Sequence, residues 1–468
     1  MTRAQGIDLS RPLRLHVVGI GGAGMSAIAS VLAAMGHQVS GTDLKATAAL
    51  ERLRVSGVTV HVGHDAEHLA DAEAITVSTA IPPGNPEVEA ASERGLPILS
   101  RAEMLAAIAA CRRTVAVAGT HGKTTTSSML ALVLVEAGLH PSFIIGGDVN
   151  DVGGGAVWDA GEWFVVEADE SDGTFLALGA DAALVTSVEP DHLEHWGSFE
   201  LLVEAFERFL AAAGGPRIVC ADDHWGAVLA ERVGAVTYGT SPGADWRVID
   251  VTTERASISF GVEHEGGRAA DIRLPVPGLH NARNATAALA MGVALGAPLD
   301  AAVRALERFG GVSRRFQFRG EAGGVTCVDD YAHLPTEVAA ALRTARDGNW
   351  RSVVVAFQPH RYSRTAALWS TFADAFVDAD RLVVTEIYSS GEAPRPGVTG
   401  KLIVDAVLDA HPTAAVAWLP GRRSLLDYLL RILRPGDLCL TLGAGDLTSL
   451  PDDLLEALAS PTRVGSAR

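Results

Sequence analysis

The chain has 468 residues, 48% of them hydrophobic and 20% charged, and its formal net charge is −18 at pH 7. This length predicts about three domains, and the negative charge argues against nucleic acid or an anionic membrane as a partner. The four cysteines are far apart, no apolar run is long enough to span a membrane, and residues 1–14 lack an apolar leader. These features predict a cytoplasmic protein.

The first segment, residues 1–110, alternates short apolar strands with helical patterns, which predicts a Rossmann-like domain with a parallel sheet. Gly19-Ile-Gly-Gly-Ala-Gly24 follows its first strand and matches GxGxxG, a turn that brings backbone N–H groups close to a diphosphate. Asp43 follows at the position of a ribose-binding carboxylate, and residues 78–84 form a second candidate loop. The ligand stays open between a dinucleotide and another diphosphate, and the turn could also be purely structural.

The second segment, residues 111–311, contains the sequence Ala118-Gly-Thr-His-Gly-Lys-Thr-Thr125 between an apolar strand and a helical stretch. A strand, a glycine-rich turn, Lys-Thr and a helix together make a phosphate-binding loop. Lys123 is one of only three lysines in a chain that otherwise uses arginine, and a compact ammonium group suits phosphate. Val117 stands where the usual P-loop has its first glycine. We therefore expect a central P-loop ATPase-like α/β domain with a shortened loop.

Two acid-rich sequences follow apolar strands of this segment: Glu167-Ala-Asp-Glu-Ser-Asp172, and Glu189 to His195. Carboxylates at a strand end beside a phosphate loop are suited to hold Mg²⁺. His192 is a further candidate for metal or phosphate, although a lone histidine is more often structural.

The third segment, residues 312–468, repeats short βα units and is predicted to be a second Rossmann-like α/β domain. Polar clusters lie at residues 280–284, 313–316, 329–333 and 358–364. The first could present amides to adenine, or Asn281 could simply cap a helix. The arginine pairs suit carboxylate or phosphate, with a solvated salt-bridge face as the alternative. Together the clusters predict ATP held between the second and third segments, with a carboxylate-bearing substrate.

Taken in chain order, these motifs resemble those of the Mur ligase family over nearly the whole sequence, and most closely its branch that adds L-alanine to UDP-N-acetylmuramate. The resemblance implies three α/β domains and an ATP-dependent ligase of peptidoglycan synthesis. It implies that the N-terminal domain binds the UDP-sugar rather than NAD, through Gly21, Gly22, Ala23, Gly24, Asp43, Ser78 and Thr79.

The same resemblance implies roles for the other motifs. The ATP phosphates would be bound by Gly119, Thr120, His121, Gly122, Lys123, Thr124, Thr125 and Arg315, adenine by Asn281 and Asn284, and ribose by Asp330. Thr124, Glu167 and His192 would bind Mg²⁺. His333, Arg361 and Arg364 would line the place where muramate and alanine meet. The residues expected to take part in catalysis are Lys123, Glu167, His192, Arg315, His333, Arg361 and Arg364.

Two departures from the family pattern matter. The chain has His333-Leu334-Pro335 where the family usually has His-His-Pro, and no lysine lies between Lys123 and Lys401. The missing lysine favours the alanine-adding branch, because several sister ligases use a carbamylated lysine there. The alternatives are a ligase that adds a whole tripeptide to the same UDP-sugar, a nucleotide-binding protein without turnover, and a nicotinamide-dependent oxidoreductase. The chain is expected to be a monomer or a homodimer.

Overall fold

The computed structural model describes residues 7–146 and 154–460, which form three β-sheets flanked by helices. By compactness the chain divides into two units. The first contains residues up to 249 together with 261–272 and 283–309, and the second contains 250–260, 273–282 and the chain from 310 onward. No helix in the described ranges has the length and apolar composition that crossing a membrane requires.

The first sheet has five parallel strands in the order β3-β2-β1-β4-β5. The strands are β1 (Arg14–Val18), β2 (Gln38–Asp43), β3 (Thr59–Val62), β4 (Ala74–Val77) and β5 (Ile98–Ser100). The helices are α1 (Ala23–Ala34), α2 (Ala48–Val55), α3 (Pro86–Glu93) and α4 (Arg101–Ala109). The strand order reverses at β1, and ligands of such sheets bind beyond the carboxyl end of that strand.

The second sheet has ten strands in the order β15-β14-β13-β12-β11-β10-β6-β9-β7-β8. They are β6 (Arg113–Ala118), β7 (Ser142–Ile144), β8 (Ala156–Val157), β9 (Trp163–Glu167), β10 (Ala182–Val185), β11 (Arg217–Cys220), β12 (Val236–Gly239), β13 (Trp246–Thr253), β14 (Ile258–His264) and β15 (Gly267–Leu274). The helices are α5 (Lys123–Glu136), α6 (Leu193–Trp196), α7 (Phe199–Ala212), α8 (His224–Val233), α9 (Leu279–Ala294) and α10 (Leu299–Glu307). Residues 124–134 of α5 are all buried, so this helix is central to the domain rather than amphipathic.

The third sheet has six strands in the order β16-β17-β21-β18-β19-β20, parallel except for the edge strand β16. The strands are β16 (Gln317–Ala322), β17 (Val325–Asp330), β18 (Ser352–Phe357), β19 (Arg381–Val384), β20 (Val416–Trp418) and β21 (Asp437–Leu442). The helices are α11 (Pro335–Asp347), α12 (Tyr362–Leu368), α13 (Lys401–Ala410), α14 (Arg422–Ile432) and α15 (Leu450–Ala459).

The predicted α/β fold class is confirmed, with three sheets in the expected chain order. The antiparallel edge strand β16 was not predicted, because residues 317–322 carry polar and glycine positions and pair with only one neighbour. Helix α5 begins at Lys123, three residues before the predicted helical stretch. The boundaries after residues 110 and 311 stay predictions.

Candidate functional site

The predicted phosphate-binding loop leaves the buried strand β6 and turns sharply at two glycines. Gly119 has φ +130° and Gly122 has φ +80°, values that favour glycine. A Cβ atom on Gly119 would lie 2.9 Å from the backbone nitrogen of Ser187, and one on Gly122 would lie 2.8 Å from Oδ1 of Asn284. The loop can therefore follow this path only with glycine at both positions.

The loop is also fixed from the neighbouring strand. The Thr120 N–H donates to the Ser187 carbonyl at 2.9 Å, and the His121 N–H donates to Ser187 Oγ at 3.0 Å. The His121 ring lies 3.3 Å from a carboxylate oxygen of Glu189. Helix α5 starts immediately after Gly122 and includes Thr124 and Thr125 in its first turn. An ordered loop that ends at a helix N-terminus is suited to bind phosphate.

Lys123 lies at the start of α5 with its ammonium group turned back over the loop. Its Nζ donates to the Gly119 carbonyl at 2.6 Å and to Glu170 Oε1 at 2.8 Å. Burial opposes the charge of Lys123, but Glu170 outweighs burial and raises the pKa of the ammonium group above its ordinary value. Lys123 is therefore a fixed positive charge at the phosphate loop.

Thr124 and Glu167 bring two oxygen ligands together beside this lysine. Thr124 Oγ1 donates to Glu167 Oε1 at 3.0 Å, and Glu167 Oε2 accepts the Gly146 N–H at 2.7 Å. A hydroxyl and a carboxylate next to a phosphate loop fit Mg²⁺, which prefers oxygen ligands and completes its shell with phosphate and water. Within the described residues no group of three or more His, Cys, Asp or Glu side chains is arranged to hold a metal.

His192, the third predicted metal ligand, has a left-handed backbone with φ +52° at the start of α6. Its Nε2 lies 3.3 Å from Asp191 Oδ2, and its backbone N–H donates to Asp191 Oδ1 at 2.9 Å. A second metal role for His192 stays a prediction.

In the N-terminal sheet, the glycine turn between β1 and α1 is held by the end of β2. The backbone N–H groups of Gly19 and Ile20 donate to the Thr42 carbonyl at 2.8 and 2.9 Å. The Gly21 N–H donates to Asp43 Oδ2 at 2.9 Å, and a Cβ on Gly21 would lie 2.8 Å from the same oxygen. Asp43 thus orders the turn that carries Gly22, Ala23 and Gly24.

Ser78 and Thr79 follow β4 at the same edge of this sheet. The Ser78 N–H donates to the Val18 carbonyl at 3.0 Å, and Thr79 is exposed beside it. Both predicted phosphate loops of the domain therefore start from adjacent parallel strands.

One cavity of about 1110 Å³ joins the glycine turn to the phosphate loop within the first compact unit. Its lining includes Gly21, Gly24, Lys123, Glu167 and Asp169. A UDP-sugar bound at the glycine turn and a phosphate bound at Lys123 would therefore share one open cavity.

Arg101 also lines this cavity and was missed by the sequence analysis. Its Nη2 lies 3.5 Å from Asp169 Oδ2 and 3.6 Å from Asp172 Oδ2, and its Nη1 lies 3.1 Å from where a Cβ on Gly24 would be. The sequence could have indicated this residue, because Arg101 is a basic residue directly after the strand β5. The carboxyl end of β5 lies at the same sheet edge as the glycine turn.

Six of the predicted site residues lie in the second compact unit. They are Asn281, Arg315, Asp330, His333, Arg361 and Arg364. Asp330 is buried, and its two oxygens accept the N–H groups of Ala332 and Phe316, each at 2.7 Å. Burial raises the pKa of Asp330 to about 6. This carboxylate orders the loops around it, and its predicted contact with ribose stays a prediction.

Arg315 lies in the loop that precedes β16. Its guanidinium carbon is 5.2 Å from the centre of the Tyr331 ring, and its Nη1 is 3.9 Å from Glu337 Oε1. His333 is in contact with the same glutamate, since its backbone N–H donates to Glu337 Oε2 at 3.0 Å. Burial lowers the pKa of His333. Glu337 opposes this shift of the pKa, and Arg364 and Arg315 add to it.

Arg361 and Arg364 lie at the start of α12, after β18. Arg361 has φ +67°, and its N–H donates to the Tyr388 carbonyl at 2.8 Å. Arg364 Nη1 lies 3.1 Å from Nδ1 of His360, whose ring centre is 5.4 Å from that of His333. His360 is a residue of this cluster that the sequence analysis did not select, although it lies within the motif 358–364.

The two predicted adenine-binding residues lie on α9. Asn281 does not cap that helix, because it lies inside it and its Nδ2 donates to the Pro277 carbonyl at 2.7 Å. Asn284 lies beside Gly122 of the phosphate loop. Their roles toward adenine stay predictions.

Comparison with known proteins gives the family. Three family models match successive parts of the chain. The model described as "Mur ligase family, catalytic domain" matches residues 14–113, and the model of the "Mur ligase middle domain" matches residues 117–292. The model described as "Mur ligase, glutamate ligase domain" matches residues 314–445. The chain therefore belongs to the Mur ligase family.

Curated relatives cover nearly the full length. The chain is 46% identical to the UDP-N-acetylmuramate–L-alanine ligase of Acidothermus cellulolyticus, over 98% of this chain and 99% of the relative. It is 48% identical to the ligase of the same name from Saccharopolyspora erythraea, over 94% and 92% of the two chains.

Among solved structures, the UDP-N-acetylmuramate-alanine ligase of Thermotoga maritima has a TM-score of 0.79 and 31% identity, covering 95% of this chain and 99% of that one. A murein peptide ligase from Psychrobacter arcticus has a TM-score of 0.68 at 23% identity, over 97% and 100% of the chains, and shows the same fold. The predicted three-domain α/β architecture is therefore confirmed.

Proposed function

We propose that the chain is an ATP-dependent ligase that joins L-alanine to the carboxylate of UDP-N-acetylmuramate in the synthesis of peptidoglycan precursors. The observation that carries this proposal is that one cavity is lined by both the glycine turn and Lys123. Relatives at 46% and 48% identity that are named for this reaction support the choice of substrates. A nicotinamide-dependent oxidoreductase would leave the loop at Lys123 unexplained.

The chemical task is to join a carboxylate to an amine in water. ATP with Mg²⁺, when bound, supplies the phosphoryl group that converts the muramate carboxylate into an acyl phosphate. In the proposal, Thr124 and Glu167 hold the metal, with His192 as the candidate for a second ion. Lys123 stabilises negative charge on the phosphates and is fixed before the reaction, so little reorganisation is needed there. In the proposal, Arg315 adds a second positive charge when the C-terminal domain closes.

The second half of the reaction needs an amine and a site from which water is excluded. In the proposal, His333, Arg361 and Arg364 bind around the carboxylates of muramate and alanine, and the neutral amine of alanine attacks the acyl carbon. Phosphate then leaves from the tetrahedral intermediate. We further propose that the C-terminal domain closes on the nucleotide and excludes water, which protects the acyl phosphate from hydrolysis.

The test is an assay of ADP release by the full chain with UDP-N-acetylmuramate and a panel of acceptors. L-alanine is expected to give the highest kcat/KM among alanine, glycine, serine and the tripeptide L-Ala-γ-D-Glu-meso-diaminopimelate. ADP release that requires the tripeptide would replace this proposal with the recycling ligase, and release without any acceptor would argue against ligation. Location in the cytoplasm and a monomeric or dimeric state stay predictions.

A further inference from the structure

The N-terminal domain buries a carboxylate that the proposed reaction does not use. Glu87 is fully buried in the second position of α3, and Asn85 Oδ1 accepts its backbone N–H at 3.0 Å. A buried charge without partners is strongly destabilising, so its surroundings must compensate for it.

The partners of Glu87 come from β1, from β2, from the loop after β3 and from the 3₁₀ turn that follows this loop. Its Oε2 accepts a hydrogen bond from Thr42 Oγ1 of β2 at 2.8 Å and lies 2.8 Å from Nδ1 of His64, which follows β3. Its Oε1 lies 3.6 Å from Nε2 of His16 in β1 and 3.4 Å from Nδ1 of His68, in the 3₁₀ turn at 66–69. Burial raises the pKa of Glu87, but the nearby His16 and His64 rings and the Thr42 hydroxyl outweigh it and hold the pKa at about 2.

Thr42 connects this buried carboxylate to the glycine turn. Its side chain donates to Glu87, while its backbone carbonyl accepts the N–H groups of Gly19 and Ile20 at 2.8 and 2.9 Å. The next residue, Asp43, accepts the Gly21 N–H at 2.9 Å. A shift of the Thr42 peptide would therefore move the whole turn.

The other predicted loop of the site is connected to the same carboxylate through the chain. Residues 78–85 run from the end of β4 to the start of α3, whose second residue is Glu87. Both loops that are proposed to face the UDP diphosphate thus depend on the position of one side chain.

We propose that Glu87 is a positioning residue for the UDP-sugar, which holds Thr42 and the start of α3 so that the glycine turn and the 78–85 loop keep their binding geometry. The inference rests on the proposed function, because it takes UDP-N-acetylmuramate as the ligand of this edge of the sheet. Glu87 itself does not touch substrate in this proposal.

The test uses Glu87→Gln, which keeps the shape of the side chain and removes its charge. The matched control is Glu89→Gln in the same helix, where the side chain is exposed. Binding of UDP-N-acetylmuramate is measured by calorimetry, KM for ATP by ADP release, and folding by thermal denaturation. We expect Glu87→Gln to raise the Kd for the UDP-sugar about tenfold or more. The KM for ATP should change less than about twofold, and the control should match wild type.

If Glu87→Gln does not fold, a second pair of variants tests the positioning role of Glu87. Thr42→Val removes the hydroxyl group that binds Glu87, and Thr42→Ser keeps it. The proposal expects weak UDP-sugar binding in the first and nearly wild-type binding in the second. It is overturned if Thr42→Val binds like wild type, or if the Kd for the sugar and the KM for ATP rise by the same factor. Wild-type protein that neither binds nor ligates the UDP-sugar would instead defeat the proposed function.

Discussion

The ammonium nitrogen of Lys123 lies 2.8 Å from Oε1 of Glu170, a carboxylate that is 1% exposed. The other oxygen of Glu170 is buried and has no hydrogen-bond partner among the residues that the structure describes. Lys123 therefore neutralises a buried acid, and its position in the loop is fixed by this ion pair as well as by the Gly119 carbonyl.

This pair predicts separate effects on activity and stability. Lys123→Ala is expected to abolish ligation while UDP-N-acetylmuramate still binds, and to lower the free energy of unfolding by about 3 kcal/mol, because the Glu170 carboxylate is left buried and unpaired. The double variant Lys123→Ala/Glu170→Gln should regain stability but no activity. Urea unfolding and ADP release measure the two effects.

The control for this prediction is Lys401→Ala, since Lys401 is half-exposed and pairs with Asp405 on the surface. That variant should keep both activity and stability. Ligation at a nearly wild-type rate in Lys123→Ala would show that the loop does not serve phosphate.

Glu167→Gln is predicted to raise the Mg²⁺ concentration needed for half-maximal activity by about tenfold or more, because a carboxylate ligand is lost. Glu162→Gln, at an exposed ion pair just before the same strand, is the matched control. The measurement is ADP release as a function of Mg²⁺ at saturating substrates. An unchanged Mg²⁺ requirement in Glu167→Gln would assign the metal to other groups.

Leu334→His restores the residue that is usual in the family and is predicted to have little effect. Leu334 is buried at the start of α11, where its backbone N–H donates to Glu337 Oε2 at 3.2 Å. The backbone, rather than the side chain, thus makes the polar contact. We expect KM for alanine to change by less than about threefold. A tenfold gain in kcat/KM would mean that a second histidine orients the acceptor.

The lowered pKa of His360 predicts that the stability of the folded chain depends on pH. Burial, followed by the positive charges of nearby basic residues, lowers the pKa of His360 from 6.5 to about 3. The unfolded chain therefore binds a proton below pH 6.5 while the folded chain does not, so stability is full above that pH and falls as the pH decreases toward 3.

The variant that checks this is His360→Gln, whose amide can still accept from Arg364. Its loss of unfolding free energy between pH 7.5 and pH 5 should be smaller than that of wild type, measured by urea unfolding at both pH values. His411→Gln, an exposed histidine paired with Asp374, serves as control. Equal acid sensitivity in wild type and His360→Gln would contradict the assignment.

The sequence predicted the backbone features of the candidate site that depend on local chain geometry. Gly119 and Gly122 have the positive φ values that a phosphate loop needs, and Lys123 follows directly from the same motif. The two glycine-containing loops were recognisable because each lies between a strand and a helix.

The parts that were missed depend on partners distant in the chain. Glu170 meets Lys123 across 47 residues, Arg101 meets Asp169 across 68, and Glu87 meets Thr42 across 45. Neither hydrophobic periodicity nor motif spacing can predict such pairs of residues. The pairs form only when the fold brings separate βα units to one edge of a sheet. The edge strand β16 was missed for a related reason, since it is defined by its pairing with β17.

The most direct test of the account follows the oxygen of the muramate carboxylate. UDP-N-acetylmuramate labelled with ¹⁸O at both oxygens of that carboxylate is incubated with the enzyme, ATP, Mg²⁺ and L-alanine, and the released inorganic phosphate is analysed by mass spectrometry. The account predicts one ¹⁸O atom in each phosphate released, because the carboxylate oxygen becomes the bridge of the acyl phosphate and leaves with phosphorus. Amide formation with unlabelled phosphate, or with AMP and pyrophosphate as products, would contradict it.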